Sequence, residues 1–292
     1  MSWRTIVISK SAKLEFELDY LVYRGEVKQK IHLSEIGTLI IESTAVSLTT
    51  TLISELCKRK IKVIFCDEKH NPECELIPYY GSHDTSDKIK EQLSWDDEIK
   101  THIWTAIIRD KILKQRNFLF ELNYKKEADL LNSYLQELEF GDVTNREGHA
   151  AKVYFNAIFG IEFKRIRDDA DFINSALNYG YALLLSMFNR EIVAKGYLTQ
   201  LGVWHGNEFN CFNLSCDLME PFRIVVDKFV YALKLTSFDT EAKNKMLEIF
   251  EIEVKIEDKI QQLPNAIKIF CSSIFLALKE KDISLIKYYY EL

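Results

Sequence analysis

A chain of 292 residues, 47% hydrophobic and 28% charged, carries enough apolar material for one or two globular domains and has no low-complexity tract. Its formal charge of −6 argues against a protein that coats nucleic acid along its whole surface, while leaving room for a local basic groove. Four prolines and ten glycines point to long helices and short linkers, and the apolar stretches are too short or too broken by polar groups for a membrane span.

The start, Met1-Ser2-Trp3-Arg4, lacks the charged-then-apolar layout of a signal peptide, so the six cysteines read as reduced thiols in a cytoplasm. Period-two alternation then predicts strands at Thr5–Ile8, Leu14–Leu18, Tyr20–Tyr23, Gln29–Leu33 and Thr38–Glu42, with turns at Arg24-Gly25 and Ile36-Gly37. Short strands and tight turns suggest a small antiparallel sandwich. Ser47–Lys60 reads as a helix with Leu48, Leu52 and Leu56 on one stripe, followed by strands at Lys62–Cys66 and Cys74–Tyr80. The polar, turn-forming run from Gly81 to Asp87 is the best linker in the chain.

Beyond it the period changes to 3.6. Helices are expected at Trp95–Leu122, with Ile99, Ile103 and Ile107 on one stripe, and at Glu127–Leu138, Glu147–Phe159, Phe172–Phe188, Arg190–Leu201, Glu220–Leu235, Thr240–Phe250 and Ile256–Leu278. The expected fold class is α+β: a β-sandwich-like domain over residues 1–80, a linker at 81–86, and a larger all-α catalytic domain over 87–292.

The chemistry gathers around Asn213–Arg223, Asn-Leu-Ser-Cys-Asp-Leu-Met-Glu-Pro-Phe-Arg. Asp217 and Glu220 lie one helical turn apart among apolar neighbours, and Pro221 suits a first helical turn or a kink, which places the acids near a helix start. A carboxylate in apolar company needs a cation or hydrogen-bond donors to stay ionised. His205, in a loop bracketed by Gly202 and Gly206, and Glu147, opening an earlier helix, complete an oxygen and nitrogen ligand set with Glu220 for a divalent metal. Each has a plainer reading. Thr144-x-x-Glu147 has the form of a capping box, His205 has that of a hydrogen-bonded structural histidine, and Asp217 suits an N-cap or a helper carboxylate. His149 points away from Glu147 and is left structural.

Arg109, Lys111, Lys114, Arg116, Lys125 and Lys126 are opposed only by Asp110 and Glu121, and read either as a solvated helix face or as a track for phosphates. Arg223 sits one turn past Glu220, within reach of a phosphate held at a metal. Lys164, Arg165 and Arg167 are balanced by Glu162, Asp168 and Asp169. Cys66, His70 and Cys74 lack a fourth zinc ligand, and no Walker, dinucleotide-binding or nucleophile-elbow glycine motif is present.

Four pieces, Asn145-Arg-Glu147-Gly-His-Ala-Ala, Ala176-Leu-Asn-Tyr-Gly-Tyr-Ala182, the Gly202-to-His205 loop and Asp217-Leu-Met-Glu220-Pro-Phe-Arg223, stand in the order and spacing of the universal CRISPR-associated integrase. The sequence resembles that family, and its flavour resembles type II-A members. The resemblance implies a β-sandwich dimerisation domain, a helical catalytic domain, and Mn²⁺ or Mg²⁺ on Glu147, His205 and Glu220, with Asp217 as a nearby acid. Candidate DNA contacts are Arg223, Arg109, Lys114, Arg116 and Arg146. Some members use a tyrosine ahead of the histidine loop, where this sequence carries Leu185.

The implied activity is spacer acquisition: 3′-hydroxyl ends of short foreign DNA joined to the leader–repeat junction of a CRISPR array by transesterification. The implied partners are DNA, a second copy of the chain, and a small ferredoxin-like CRISPR-associated protein that completes a heterohexamer. A type II effector nuclease and a ring-shaped DNA-end-binding protein act beside them in cells. Two rivals remain at this point: a metal-dependent nuclease of branched DNA that does not integrate, and a non-catalytic DNA-binding scaffold.

Overall fold

Stretches that alternate apolar and polar residues become strands because one face of each fits a shared core. The computed structural model describes residues 4–79, 81–166 and 171–291, and its first strands are β1 (Arg4–Ile8), β2 (Ala12–Glu17), β3 (Tyr20–Arg24), β4 (Lys28–His32), β5 (Ile36–Ile41) and β6 (Val46–Leu48). Helix α1 (Thr50–Lys58) starts at the Thr49 side-chain cap and leads to β7 (Lys62–Cys66) and β8 (Pro72–Glu75). Ile36 and Gly37 therefore open a strand and do not form a turn. The last strand begins and ends earlier than Cys74–Tyr80, and Tyr80 lies outside the described residues.

The strands form two four-stranded sheets, ordered β1-β5-β7-β8 and β4-β3-β2-β6. Both are mixed, which corrects the antiparallel expectation: β1 with β5, β5 with β7, and β2 with β6 pair in parallel. Parallel pairing of β5 with β7 follows from their connection, since β6 and α1 supply a crossover that a tight turn cannot. Leu14, Leu21, Leu39, Leu52, Leu56 and Val63, from both sheets and α1, are buried in one core.

The helical part opens with α2 (Thr85–Leu93), which begins inside the stretch expected as linker, and α3 (Asp97–Glu121), capped by Asp96. Next come α4 (Lys125–Gln136), α5 (Arg146–Phe159) and α6 (Phe172–Ala194). Helix α6 is continuous through Asn189, where two helices were expected, and the chain turns at Gly196 with φ 85°. Helix α7 (Asn213–Met219), a 3₁₀ turn over Glu220–Phe222, α8 (Arg223–Leu233) and α9 (Thr240–Met246) follow.

The stretch expected as a helix from Ile256 begins instead as a hairpin, β9 (Glu253–Ile256) and β10 (Lys259–Gln262), and only then becomes α10 (Leu263–Glu280). Glu257 and Asp258, both at positive φ (49° and 60°), make the two-residue turn whose twist matches a hairpin. With β11 (Tyr290–Glu291) this gives a small antiparallel sheet, so the larger domain is predominantly helical but not all-α. The α+β layout of a β-rich start and a helical remainder stands.

By contacts the chain divides into two units, Met1–Thr85 with Val193–Gly196, and Ser86–Ile192 with Tyr197–Leu292. No helix among the described residues is long and apolar enough to cross a membrane. In the second unit Phe222 is fully buried against Phe188, Phe270 and Tyr289, with ring centroids 4.3–5.3 Å apart. This aromatic packing fixes the turn that carries Glu220.

Candidate active site

Helix α3 aims a cation at the centre of the second unit. Its buried stripe of Ile99, Ile103 and Ile107 continues at the next four-residue step to Lys111, which is only 8% exposed. The Lys111 ammonium donates to Glu147 Oε1 and, at 2.5 Å, to Glu220 Oε2. Burial opposes its charge, but the two carboxylates outweigh that cost and hold its pKa above the usual lysine value.

Glu147 is free to reach Lys111 because other groups cap its helix. Asp142 accepts the Arg146 and Glu147 backbone N–H groups at 2.6 and 3.0 Å, and Asn145, left-handed at φ 53°, accepts that of Gly148 at 3.3 Å. The capping box suggested by Thr144-x-x-Glu147 is not the device used. Glu220 belongs to the 3₁₀ turn between α7 and α8, so the acids occupy a helix–helix joint and not a helix start. Pro221, which has no N–H to donate, marks the break. Burial raises the Glu220 carboxyl, but Arg223, whose Nε donates to Oε1 at 2.8 Å, and Lys111 overcome this and bring it down to about 2.

Asp217 is fully buried in α7 and is not an N-cap. Its Oδ2 accepts the N–H groups of Val203 and Trp204 at 2.8 and 2.9 Å, the N–H of His205 lies 3.3 Å from both oxygens, and Oδ1 bonds His205 Nδ1. Three backbone donors thus fold the loop around one carboxylate. Gly202 makes this possible, since a methyl there would lie 2.4 Å from the His205 carbonyl oxygen and 2.6 Å from Asp217 Oδ2. The imidazole meets Trp104 edge-to-face at 5.3 Å, and Trp104 stacks on Trp204 at 5.6 Å. The Asp217 bond raises the His205 pKa above the ordinary value, burial opposes it, and Glu220 and Glu147 add attraction from a distance. With Nδ1 committed to Asp217, Nε2 is the ring nitrogen left for a ligand.

A cavity of about 550 Å³ adjoins Lys111, Glu147 and Glu220. Its polar wall includes Lys152, Lys164 and Arg165, and its apolar wall includes Phe155, Ile161 and Phe163. Tyr181 and Asp227 also line it, neither foreseen as a site residue, with the tyrosine hydroxyl bonded to Asp227 Oδ1. Burial pushes the Asp227 carboxyl up to about 7 against the pull of Tyr181 and Arg223. Arg223 and Arg165 lie over the Tyr181 ring at 4.7 and 5.1 Å, and Arg165 donates to Asn174 and Asn178 at 3.0 and 2.6 Å. Gly180 admits this closeness, as a methyl there would stand 2.4 Å from Val226 on α8. The cavity tyrosine is thus Tyr181, one turn before Leu185.

The basic residues of α3 do not form one surface track. Arg109 is exposed and Arg116 half-buried, but Lys111 and Lys114 point inward. Lys114 pairs with Asp110 and sits 3.8 Å from the Tyr289 ring, so it is not presented to a phosphate at the surface. Arg116 donates to Asn132 at 3.0 Å, Arg146 pairs with Glu137 at 2.9 Å, and Arg223 is held by Glu220. Arg167, Asp168 and Asp169 lie outside the described residues.

Two of the three expected metal ligands share one cation already. Among the described residues no three His, Cys, Asp or Glu side chains stand close enough together to hold a metal, because His205 is turned toward Asp217 and Lys111 fills the space between the carboxylates. The donor chemistry still fits a divalent ion: two carboxylates converge on one positive charge, and an imidazole with a free nitrogen feels both of them.

The family model described as CRISPR associated protein Cas1 matches residues 5–248. The chain belongs to the Cas1 family. It is 34% identical over 234 residues to the CRISPR-associated endonuclease Cas1 of Neisseria meningitidis serogroup C, covering 80% of this chain and 76% of that one. With a Cas1 endonuclease of Francisella tularensis subsp. novicida the identity is 28% over 262 residues, covering 82% of each. Its fold is that of a casposase bound to integration product (TM-score 0.78, 19% identity, 97% of this chain and 92% of that one). A Thermotoga maritima CAS1 protein has the same fold (TM-score 0.73, 18% identity, 94% and 97%). Part of a Cas6-RT-Cas1–Cas2 complex chain also matches (TM-score 0.75, 18% identity, 99% of this chain and 36% of that one). The matched range spans all four motif pieces singled out in the sequence.

Proposed function

We propose that this Cas1-family chain is a divalent-metal-dependent DNA endonuclease and integrase of CRISPR adaptation, joining 3′-hydroxyl ends of short DNA to a leader–repeat junction. The observation that carries the reading is the convergence of Glu147 and Glu220 on a single cation within a cavity whose walls are cationic and aromatic. The endonuclease names of its relatives and the integration product in the casposase structure support it.

In this reading Glu147, Glu220 and Nε2 of His205 would hold Mn²⁺ or Mg²⁺, with Asp217 fixing the ring's tautomer and direction. When bound, such an ion lowers the pKa of an attacking hydroxyl and offsets charge on the phosphate. Arg223 stays on Glu220 Oε1 with its remaining N–H groups available to a phosphate oxygen, and Arg165 lines the same cavity. Phe155 and Phe163 give a base an apolar face. The 3′ oxygen gains a bond to phosphorus as the scissile phosphorus–oxygen bond breaks, so one phosphodiester replaces another and no nucleotide is hydrolysed.

The proposed assembly is a homodimer formed through the first unit, with a small ferredoxin-like CRISPR-associated partner in a heterohexamer around a short duplex. In cells it acts beside a type II effector nuclease and a ring-shaped DNA-end-binding protein. The Cas1–Cas2 complexes among its structural neighbours support a Cas partner. The test incubates labelled duplex with 3′-hydroxyl ends, a repeat-bearing plasmid, the small partner and Mn²⁺. Joined product is expected from the parent and lost in Glu220→Ala and His205→Ala. Cleavage without joining would favour the branched-DNA nuclease, and full joining by either variant would remove the assigned site.

A further inference from the structure

Lys111 stands where a metal ion is expected, and no assigned role explains a lysine there. Its ammonium bonds Glu147 and Glu220 together, and Glu220 Oε2, at 2.5 Å, is the oxygen not already taken by Arg223. The local charges balance: two carboxylates face Lys111 and Arg223. A divalent ion on the same oxygens would put three positive charges beside Arg223 if Lys111 stayed, within a buried site where like charges repel strongly. One of the two cations has to leave.

Helix α3 leaves room for that. The Lys111 side chain borders the cavity of about 550 Å³, and four methylenes with free rotation let the ammonium swing while its backbone stays in α3. We propose, resting on the metal-dependent reading above, that Lys111 is a displaceable counter-cation. It holds Glu147 and Glu220 in place while no metal is bound, and a divalent ion drives its ammonium into the adjoining cavity. There it joins Lys152, Lys164 and Arg165 and adds one positive charge to a surface suited to a phosphodiester. Metal loading and DNA capture are thereby coupled through one side chain: the cavity is most cationic only after the metal has seated.

The test measures Mn²⁺ binding to the full chain by loss of the free-ion electron paramagnetic resonance signal. Lys111→Met removes the competitor and is expected to bind Mn²⁺ at least ten-fold more tightly than the parent. Lys111→Arg keeps the charge on a larger fork that holds two carboxylates more firmly, and is expected to bind at least ten-fold more weakly. A measurement on the unaltered protein guards against misfolded variants: acylation of Lys111 by an amine-reactive ester, read by mass spectrometry, is expected to rise at least five-fold when Mn²⁺ is added. Equal Mn²⁺ binding by all three proteins, or acylation that does not respond to Mn²⁺, overturns the proposal alone. No Mn²⁺ binding by any of them overturns it together with the metal reading beneath it.

Discussion

Asp217 grips His205 twice, through the imidazole Nδ1 and through the residue's own backbone N–H, 3.3 Å from each carboxylate oxygen. A single buried acid therefore sets both the path of the loop and the orientation of the ring. Asp217→Ala strands the Val203 and Trp204 N–H groups in a buried place, at about 1–3 kcal/mol for each unsatisfied donor. Urea denaturation should show a loss of at least about 2 kcal/mol. Asp217→Asn should fold better yet lose most activity, because an amide cannot accept at every contact that the carboxylate fills.

His205 carries a pH signature. Its folded pKa is raised by Asp217 above the ordinary value of 6.5, so the pair's contribution to stability is complete below about 6.5 and fades as pH rises through the folded value. Thermal unfolding of parent and His205→Gln in chelator should differ most at pH 6 and converge by pH 9. Metal affinity should move the other way, rising over the same window as the ring loses its proton. A pH-independent difference in melting would break this assignment.

Asp227 titrates with the same sign at lower pH. Its carboxyl is raised to about 7 by burial, so the folded chain binds a proton that the unfolded chain has released above about 4, and stability falls between those values. Asp227→Asn removes that dependence. The melting temperature of the variant relative to the parent should climb between pH 4 and pH 8. An infrared carboxylic-acid band present at pH 6 in the parent should be absent from the variant.

Phe222 supports the turn that holds Glu220, packed on Phe188, Phe270 and Tyr289. Phe222→Ala should cost about 3–5 kcal/mol in a denaturant titration, the usual range for emptying an aromatic site in a core. Activity should fall further than stability explains, since the joint between α7 and α8 would lose its backing. Phe222→Leu, which refills most of the space, should restore both in large part.

Much of the site was legible because its parts follow local rules. The Ile99, Ile103, Ile107 stripe announced the buried face of α3, Asp217 and Glu220 stood out as acids among apolar neighbours, and Glu147 as an acid opening a helix. The same stripe also announces Lys111, at the next four-residue step, but a charge count groups it with the exposed Arg109 and the half-buried Arg116. Asp227 carried the same signal, a lone acid in the apolar run of α8. Other features depend on pairings that no window of sequence contains. The Asp142 cap of α5 and the three N–H groups folded onto Asp217 exist only once distant segments meet. The hairpin of β9 and β10 was hidden because Ile256 also suits the helical pattern that follows, and only the left-handed Glu257 and Asp258 separate the two.

The most direct measurement is anomalous scattering from crystals of the chain soaked in Mn²⁺. One manganese peak is predicted, at coordination distance from an oxygen of Glu147, an oxygen of Glu220 and Nε2 of His205, with the Lys111 ammonium moved off both carboxylates. A lysine still bonded to both acids, with manganese elsewhere or absent at saturating concentration, would contradict the account.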